Sequence, residues 1–170
     1  MPRMVTLKGR PFTLEGPQLK AGDRAPGATV KKNLVESIEL SEFAGKPRIY
    51  SVVPSLDTTV CAAQTKRFHE EAAKLPKLRI FTISADLPPA QARFCGVEKI
   101  DPEKIVCLSD HKDHAFGKAY GTWIPDLGIE CRAVFVVDAS DTIRYVEYVP
   151  EIAEHPKYDA ILAAAQASAS

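Results

Sequence analysis

The chain has 170 residues, 45% apolar and 26% charged, which suits one soluble globular domain with a real core. Its 22 basic residues match 22 acidic ones and no Lys/Arg block stands out, so nucleic acid and anionic membranes are not expected as main partners. No apolar run approaches the roughly 20 residues a membrane span needs, and the first ten residues carry no secretory h-region, so a cytoplasmic protein is expected.

Val5 to Leu14 holds two short alternating pieces around Lys8-Gly9-Arg10-Pro11 and predicts a β-hairpin extension within residues 1–17. Gly16-Pro17 and Gly22 to Gly27 are loop chemistry. Short strands are expected at Ala28–Lys31 and Ser37–Leu40, then one helical turn at Ser41–Gly45. Ile49 to Val53 reads as a buried strand, and Pro54, which has no N–H for a ladder, suits its end. From Cys61, residues Thr65, Phe68, Ala72 and Leu75 recur at steps of three and four, a helical stripe facing the core that Pro76 stops.

Leu78 to Ser84 is rich in β-formers and predicts a second buried strand. Pro89 to Phe94 predicts a short helix ended by Cys95-Gly96. Lys104–Leu108 is a third strand, and Ser109-Asp110 are expected to cap a helix running to about Tyr120. Arg132–Val137 is a fourth strand, turned by Asp138–Asp141 into an antiparallel partner at Ile143–Val149, with an Ala-rich helix over Lys157–Ala167. From Arg48 the order is thus β-α-β-α-β-α-β-β-α. That order predicts an α/β fold: a mixed sheet with helices on its faces and a hairpin at one edge, in a single domain over residues 1–170.

Cys61, Cys95, Cys107 and Cys131 include no Cys-x-x-Cys pair, and His69, His111, His114 and His155 show no metal spacing with carboxylates. No metal or other cofactor is expected. In a reducing compartment the thiols are then redox-active, or buried as small hydrophobes. Cys61 falls in the first turn of a predicted helix just past a strand end. There the partly positive helix N-terminus and unpaired N–H groups favour a thiolate. Position alone also fits a core residue on the helical stripe. The lead-in Pro54-Ser55-Leu56-Asp57-Thr58-Thr59-Val60, with hydroxyls one turn before the sulfur, favours chemistry.

Pro54-x-x-x-Thr58-x-x-Cys61 resembles the active-site pattern of the peroxiredoxins, and Pro54-Ser-Leu-Asp-Thr-x-Val-Cys61 resembles their thiol peroxidase subfamily of atypical two-cysteine enzymes. Phe43-Ala44-Gly45-Lys46, Ile83 to Pro88, Ala92 to Gly96, Tyr120-Gly121 and Arg132-Ala133-Val134 also match in order. The resemblance implies a thioredoxin-like fold and reduction of hydroperoxides. It implies Cys61 as the peroxidatic cysteine and Thr58 as a hydrogen-bond partner of its thiolate. Arg132 would hold the thiolate's charge, Pro54 would shield the site, and Cys95 would resolve the sulfenic acid as an intramolecular disulfide. Thioredoxin as reductant and a homodimer are implied in the same way.

Thr58 also suits a helix N-cap, and Arg132 also reads as a strand-end surface charge. Cys107 shares a strand face with Ile105 and reads as core filler. Cys131, where the family leads one to expect a small or apolar residue, reads as structural, with reactivity beside Arg132 left open. His111 and His114 are expected on a solvated helix face. Two other functions compete. Cys61-x5-Arg67 has the tyrosine-phosphatase spacing, but its intervening residues lack Gly and favour helix. A thioredoxin-fold redox sensor would use the same cysteines.

Overall fold

The computed structural model describes residues 2–169. β1 (Met4–Leu7) and β2 (Arg10–Thr13) form the expected hairpin. Its two-residue turn has positive φ at both Lys8 and Gly9, the geometry that matches strand twist in tight hairpins. β3 (Thr29–Lys31), β4 (Ser37–Glu39) and a 3₁₀ turn at Leu40–Phe43 follow. The chain then alternates through β5 (Arg48–Val52), α1 (Thr59–Ala72), β6 (Arg79–Ser84), α2 (Pro88–Val97), β7 (Ile105–Ser109) and α3 (Ala115–Tyr120). It ends in β8 (Trp123–Ile124), β9 (Ile129–Glu130), β10 (Ala133–Val137), β11 (Ile143–Tyr148) and α4 (Tyr158–Ser168).

Seven strands make one mixed sheet in the order β11-β10-β5-β6-β7-β3-β4. β5, β6 and β7 are parallel, as helical crossovers require, and the β10–β11 hairpin closes one edge. The sheet is buried on both faces by period-two alternation. Ile49, Ile80, Ile105, Val134 and Val136 point to one layer with Phe68 of α1 and Ile161 and Ala165 of α4. Tyr50, Val52, Phe81, Ile83, Leu108 and Phe135 point to the other, where Phe116 and Tyr120 of α3 and Val5 and Leu14 of the N-terminal segment pack. The hairpin is pinned to residues 150–152: Thr6 N–H donates to Pro150 at 2.8 Å, and Ile152 N–H donates to Thr6 at 2.8 Å.

Two expectations need correction. The helix predicted from Ser109-Asp110 begins only at Ala115, after a turn that ends with His114 in the left-handed region. Asp110 still caps it from a distance, accepting from Phe116 N–H at 2.9 Å and Gly117 N–H at 2.8 Å. His111 and His114 therefore lie in that turn, not on a solvated helix. Both are half-buried, and the His114 ring stacks on Trp123 with centroids 3.7 Å apart. The short β8–β9 ribbon has no counterpart among the predicted strands.

Candidate active site

The end of β5 delivers the chain to a loop that one carboxylate holds. Asp86, just beyond β6, accepts from Ser55 Oγ, from Leu56 N–H and from Ser84 Oγ, each at 2.8 Å. Pro54 is buried at the start of this loop. Thr58 takes the N-cap position of α1 with extended backbone, but its hydroxyl donates to the Ser55 carbonyl at 2.8 Å and makes no capping bond. Among the described residues no hydrogen bond joins Thr58 to Cys61, so in this arrangement the threonine shapes the loop.

Cys61 is the third residue of α1 and is fully buried. The expected core stripe is present: Cys61, Thr65, Phe68, Ala72 and Leu75 are all buried. Arg132, one residue before β10, is 2% exposed, so it is no surface charge. Its Nη2 donates to Cys61 Sγ at 3.2 Å, its Nη1 to Gln64 Oε1 at 2.8 Å, and its Nε to the Ile152 carbonyl at 2.9 Å. Gln64 is in turn fixed by donating from Nε2 to Ser51 Oγ at 2.8 Å. A buried guanidinium with every nitrogen partnered is a directed charge on the sulfur.

The sequence reading did not single out Gln64, Ser51 or Ile152. Gln64 did carry a signal, since it lies three residues after Cys61 and so on the same helical face. Beside the loop, a groove of about 500 Å³ runs between the start of α1 and α2, lined in part by Ser55, Thr58, Asp86, Arg93 and Phe94.

Cys95 lies near the end of α2, half-buried, with its Sγ 3.2 Å from Cys107 Sγ and not beside Cys61. The bond from Cys107 holds the Cys95 thiol below its ordinary value; the same bond, and then burial, push Cys107 well above. Cys107 thus packs against the buried cluster of Val53, Leu56 and Cys61, as its strand position suggests, and is also half of a thiol pair. Cys131 is fully buried, and burial above all pushes its thiol far up, which fits the structural reading. Arg67 lies about 240° around α1 from Cys61, since six residues turn the helix by about 600°. It stacks on Tyr158 at 5.1 Å and pairs with Glu71. The continuous helix from Thr59 to Ala72 leaves no phosphate-wrapping loop after Cys61, and the phosphatase spacing is accidental.

Comparison with known proteins points the same way. The Redoxin family pattern matches residues 20–162. A thiol peroxidase of Bacillus subtilis is 50% identical over 163 residues, covering 96% of each chain. One from Leptospira interrogans is 48% identical over 167 residues, covering 96% of this chain and 98% of its own. The crystal structure of a peroxiredoxin-like protein from Aquifex aeolicus superposes with a TM-score of 0.89 at 39% identity, covering 98% of both chains. A Chromobacterium violaceum thiol peroxidase, at 21% identity and a TM-score of 0.86, shares the fold over 96% of this chain and 95% of its own. With this thioredoxin-like sheet and a cysteine under a buried arginine at the head of α1, the chain belongs to the Redoxin family, in the thiol peroxidase branch of the peroxiredoxins.

Proposed function

We propose that this protein reduces hydrogen peroxide and organic hydroperoxides through Cys61, resolves the oxidised cysteine with Cys95, and is recycled by thioredoxin. The observation that carries the reading is the 3.2 Å contact between Arg132 Nη2 and Cys61 Sγ, at a helix N-terminus beside a groove wide enough for a small hydroperoxide. The Cys61 thiolate attacks the terminal peroxide oxygen. The O–O bond breaks, the alcohol or water leaves with a proton, and Cys61 becomes a sulfenic acid. Arg132 stabilises first the thiolate and then the charge growing on the leaving oxygen. Thr58 and Pro54 shape the loop that receives the peroxide.

The Cys95 sulfur then attacks the sulfenic sulfur, water leaves, and a Cys61–Cys95 disulfide forms. This needs Cys95 to leave Cys107 and α2 to open locally. Two features support that motion: α2 has only ten residues and no side-chain N-cap bond. A thioredoxin dithiol reduces the disulfide by two exchange steps. We read the chain as a single domain over residues 1–170, with residues 1–17 as its hairpin extension. We read it as a cytoplasmic homodimer, as the family resemblance implies; among the described residues no helix is long and apolar enough to cross a membrane.

The test is NADPH oxidation coupled through thioredoxin and its reductase, alongside single-turnover peroxide consumption. Cys61→Ser is expected to lose both. Cys95→Ser is expected to keep one rapid round of peroxide consumption and lose thioredoxin-supported turnover. Undiminished consumption by Cys61→Ser would overturn the reading, and full steady-state turnover by Cys95→Ser would remove Cys95 from it. Failure to turn over at all in the wild type would leave the redox sensor as the better description.

A further inference from the structure

Cys107 stands between the two cysteines of the proposed cycle. Its sulfur touches Cys95 at 3.2 Å. It also packs, with Phe94, against the small buried cluster of Val53, Leu56 and Cys61. The strand that carries it is held in the sheet, because β7 pairs with β6 along its whole length and with β3 at Ser109. Cys95, by contrast, sits on the short α2, beside an exposed Gly96. A fixed thiol thus faces a movable one at a distance about 1.2 Å longer than an S–S bond.

We propose that Cys107 is a third redox-active thiol, which takes Cys95 from Cys61 by thiol–disulfide exchange and leaves the oxidised chain with a Cys95–Cys107 disulfide. The inference rests on the peroxidase reading and extends it by one step. Once Cys61 and Cys95 are joined, the Cys107 thiolate attacks the Cys95 sulfur. The Cys95–Cys107 bond forms, the Cys61–Cys95 bond breaks, and the electron pair leaves with Cys61 as a thiolate. Nothing is oxidised or reduced overall, and the proton given up by Cys107 is available to Cys61 or to water.

Two physical arguments set the direction. As a free cysteine Cys61 lies 3.2 Å from the Arg132 guanidinium, and return to that charge favours its departure as a thiolate. The exchange also lets α2 refold onto β7, since Cys95 and Cys107 are neighbours in the closed arrangement. Contact with Cys95 and burial beneath α2 are what raise the Cys107 thiol, and both are relieved while α2 is open. The attacking thiol is therefore released by the same movement that delivers its target. The exchange returns Cys61 to its reduced form while the oxidising equivalent waits on a disulfide beside the groove, where the reductant would meet it.

The four cysteines fall in four separate tryptic peptides, Ile49–Lys66, Phe94–Lys99, Ile105–Lys112 and Ala119–Arg132, so each linkage has its own mass. The reduced full-length protein is treated with one equivalent of hydrogen peroxide, quenched with acid, alkylated and digested without reductant. The wild type is expected to give chiefly the Phe94–Lys99/Ile105–Lys112 pair, with Cys61 alkylated. Cys107→Ser is expected to give the Ile49–Lys66/Phe94–Lys99 pair instead, and Cys61→Ser to give no linked pair. Wild-type protein that shows only the Cys61–Cys95 link, with Cys107 fully alkylated, overturns the relay and leaves the peroxidase reading standing. A Cys95–Cys107 link that forms at the wild-type rate in Cys61→Ser also overturns the relay, because the oxidation would not have passed through Cys61. Absence of any Cys61–Cys95 link in Cys107→Ser counts against the underlying reading itself.

Discussion

Each nitrogen of the Arg132 guanidinium has its own partner, and two of the three partners, Gln64 and the Ile152 carbonyl, exist to aim the third contact at Cys61. Arg132→Gln removes the charge that stabilises the thiolate and the departing oxygen. Loss of one such preorganised donor lowers kcat by roughly 10²–10³-fold, so kcat/KM for hydrogen peroxide is expected to fall by about that factor. Gln64→Leu keeps the charge but strips a buried donor of its acceptor, at a cost of about 1–3 kcal/mol of stability. Its activity is expected to fall less than that of Arg132→Gln. Urea unfolding and initial peroxide-consumption rates measure both effects. Equal activity of wild type and Gln64→Leu would show that Arg132 is aimed without it. The sequence hid this pairing for a physical reason: the polarity of a glutamine argues for solvent even where, as here, its spacing from Cys61 puts it on the core-facing side of the helix. Only the arrival of Arg132, 68 positions along the chain, makes a buried glutamine tolerable.

The element that carries motion is α2. It begins with Pro88-Pro89, contains Gly96, and fully buries only Pro88 and Gln91, with Phe94 and Cys95 half-buried, so the apolar surface that opposes its opening is small. Gly96 is helical and exposed, and a Cβ there would meet nothing within 4 Å. Gly96→Ala therefore adds helix stability without strain, about 0.5–1 kcal/mol. If α2 must open before Cys95 reaches Cys61, the closed state is favoured and disulfide formation slows by about two- to fivefold. The first reaction with peroxide is expected to keep its rate, and a slowing of that phase as well would mean that α2 also opens to admit the peroxide to buried Cys61. Stopped-flow fluorescence after one equivalent of peroxide would separate the two phases. An unchanged second phase would mean that Cys95 moves without unwinding this turn. The sequence shows α2 by its prolines, although the helix runs past the expected Cys95-Gly96 end to Val97, and which strand residue lies beneath it depends on how the helix docks. Cys107 therefore reads as filler until β7 and α2 are placed together.

At the scale of the molecule, the parallel trio β5, β6 and β7 is legible because each strand is a short apolar run between turn residues. The two-residue strands β8 and β9 have no period to read. That ribbon nevertheless ends at Glu130, two residues before Arg132, and is tied to α3 through a buried pair of acids. Glu130 accepts from Thr122 Oγ1 at 2.5 Å and lies beside Asp110, which caps α3. Gly117 is required here, because a Cβ would come within 2.7 Å of the Glu130 carboxylate. Burial, and then the neighbouring Asp110, hold the Glu130 carboxyl well above the ordinary value of 4.5. Below pH 4.5 Glu130 is protonated in both folded and unfolded chains, and its contribution to stability is fully present. Above it, the unfolded chain loses the proton while the folded chain keeps it. Stability falls by about 1.4 kcal/mol per pH unit until the raised folded value is reached. Glu130→Gln cannot titrate, so the stability difference between mutant and wild type is expected to grow in the mutant's favour as pH rises above 4.5. Paired urea denaturations through the acid-to-neutral range measure that difference directly. A flat difference would mean that Glu130 titrates as it does in the unfolded chain. A rising one would identify this carboxyl as a group that lowers the stability of the whole fold as pH rises.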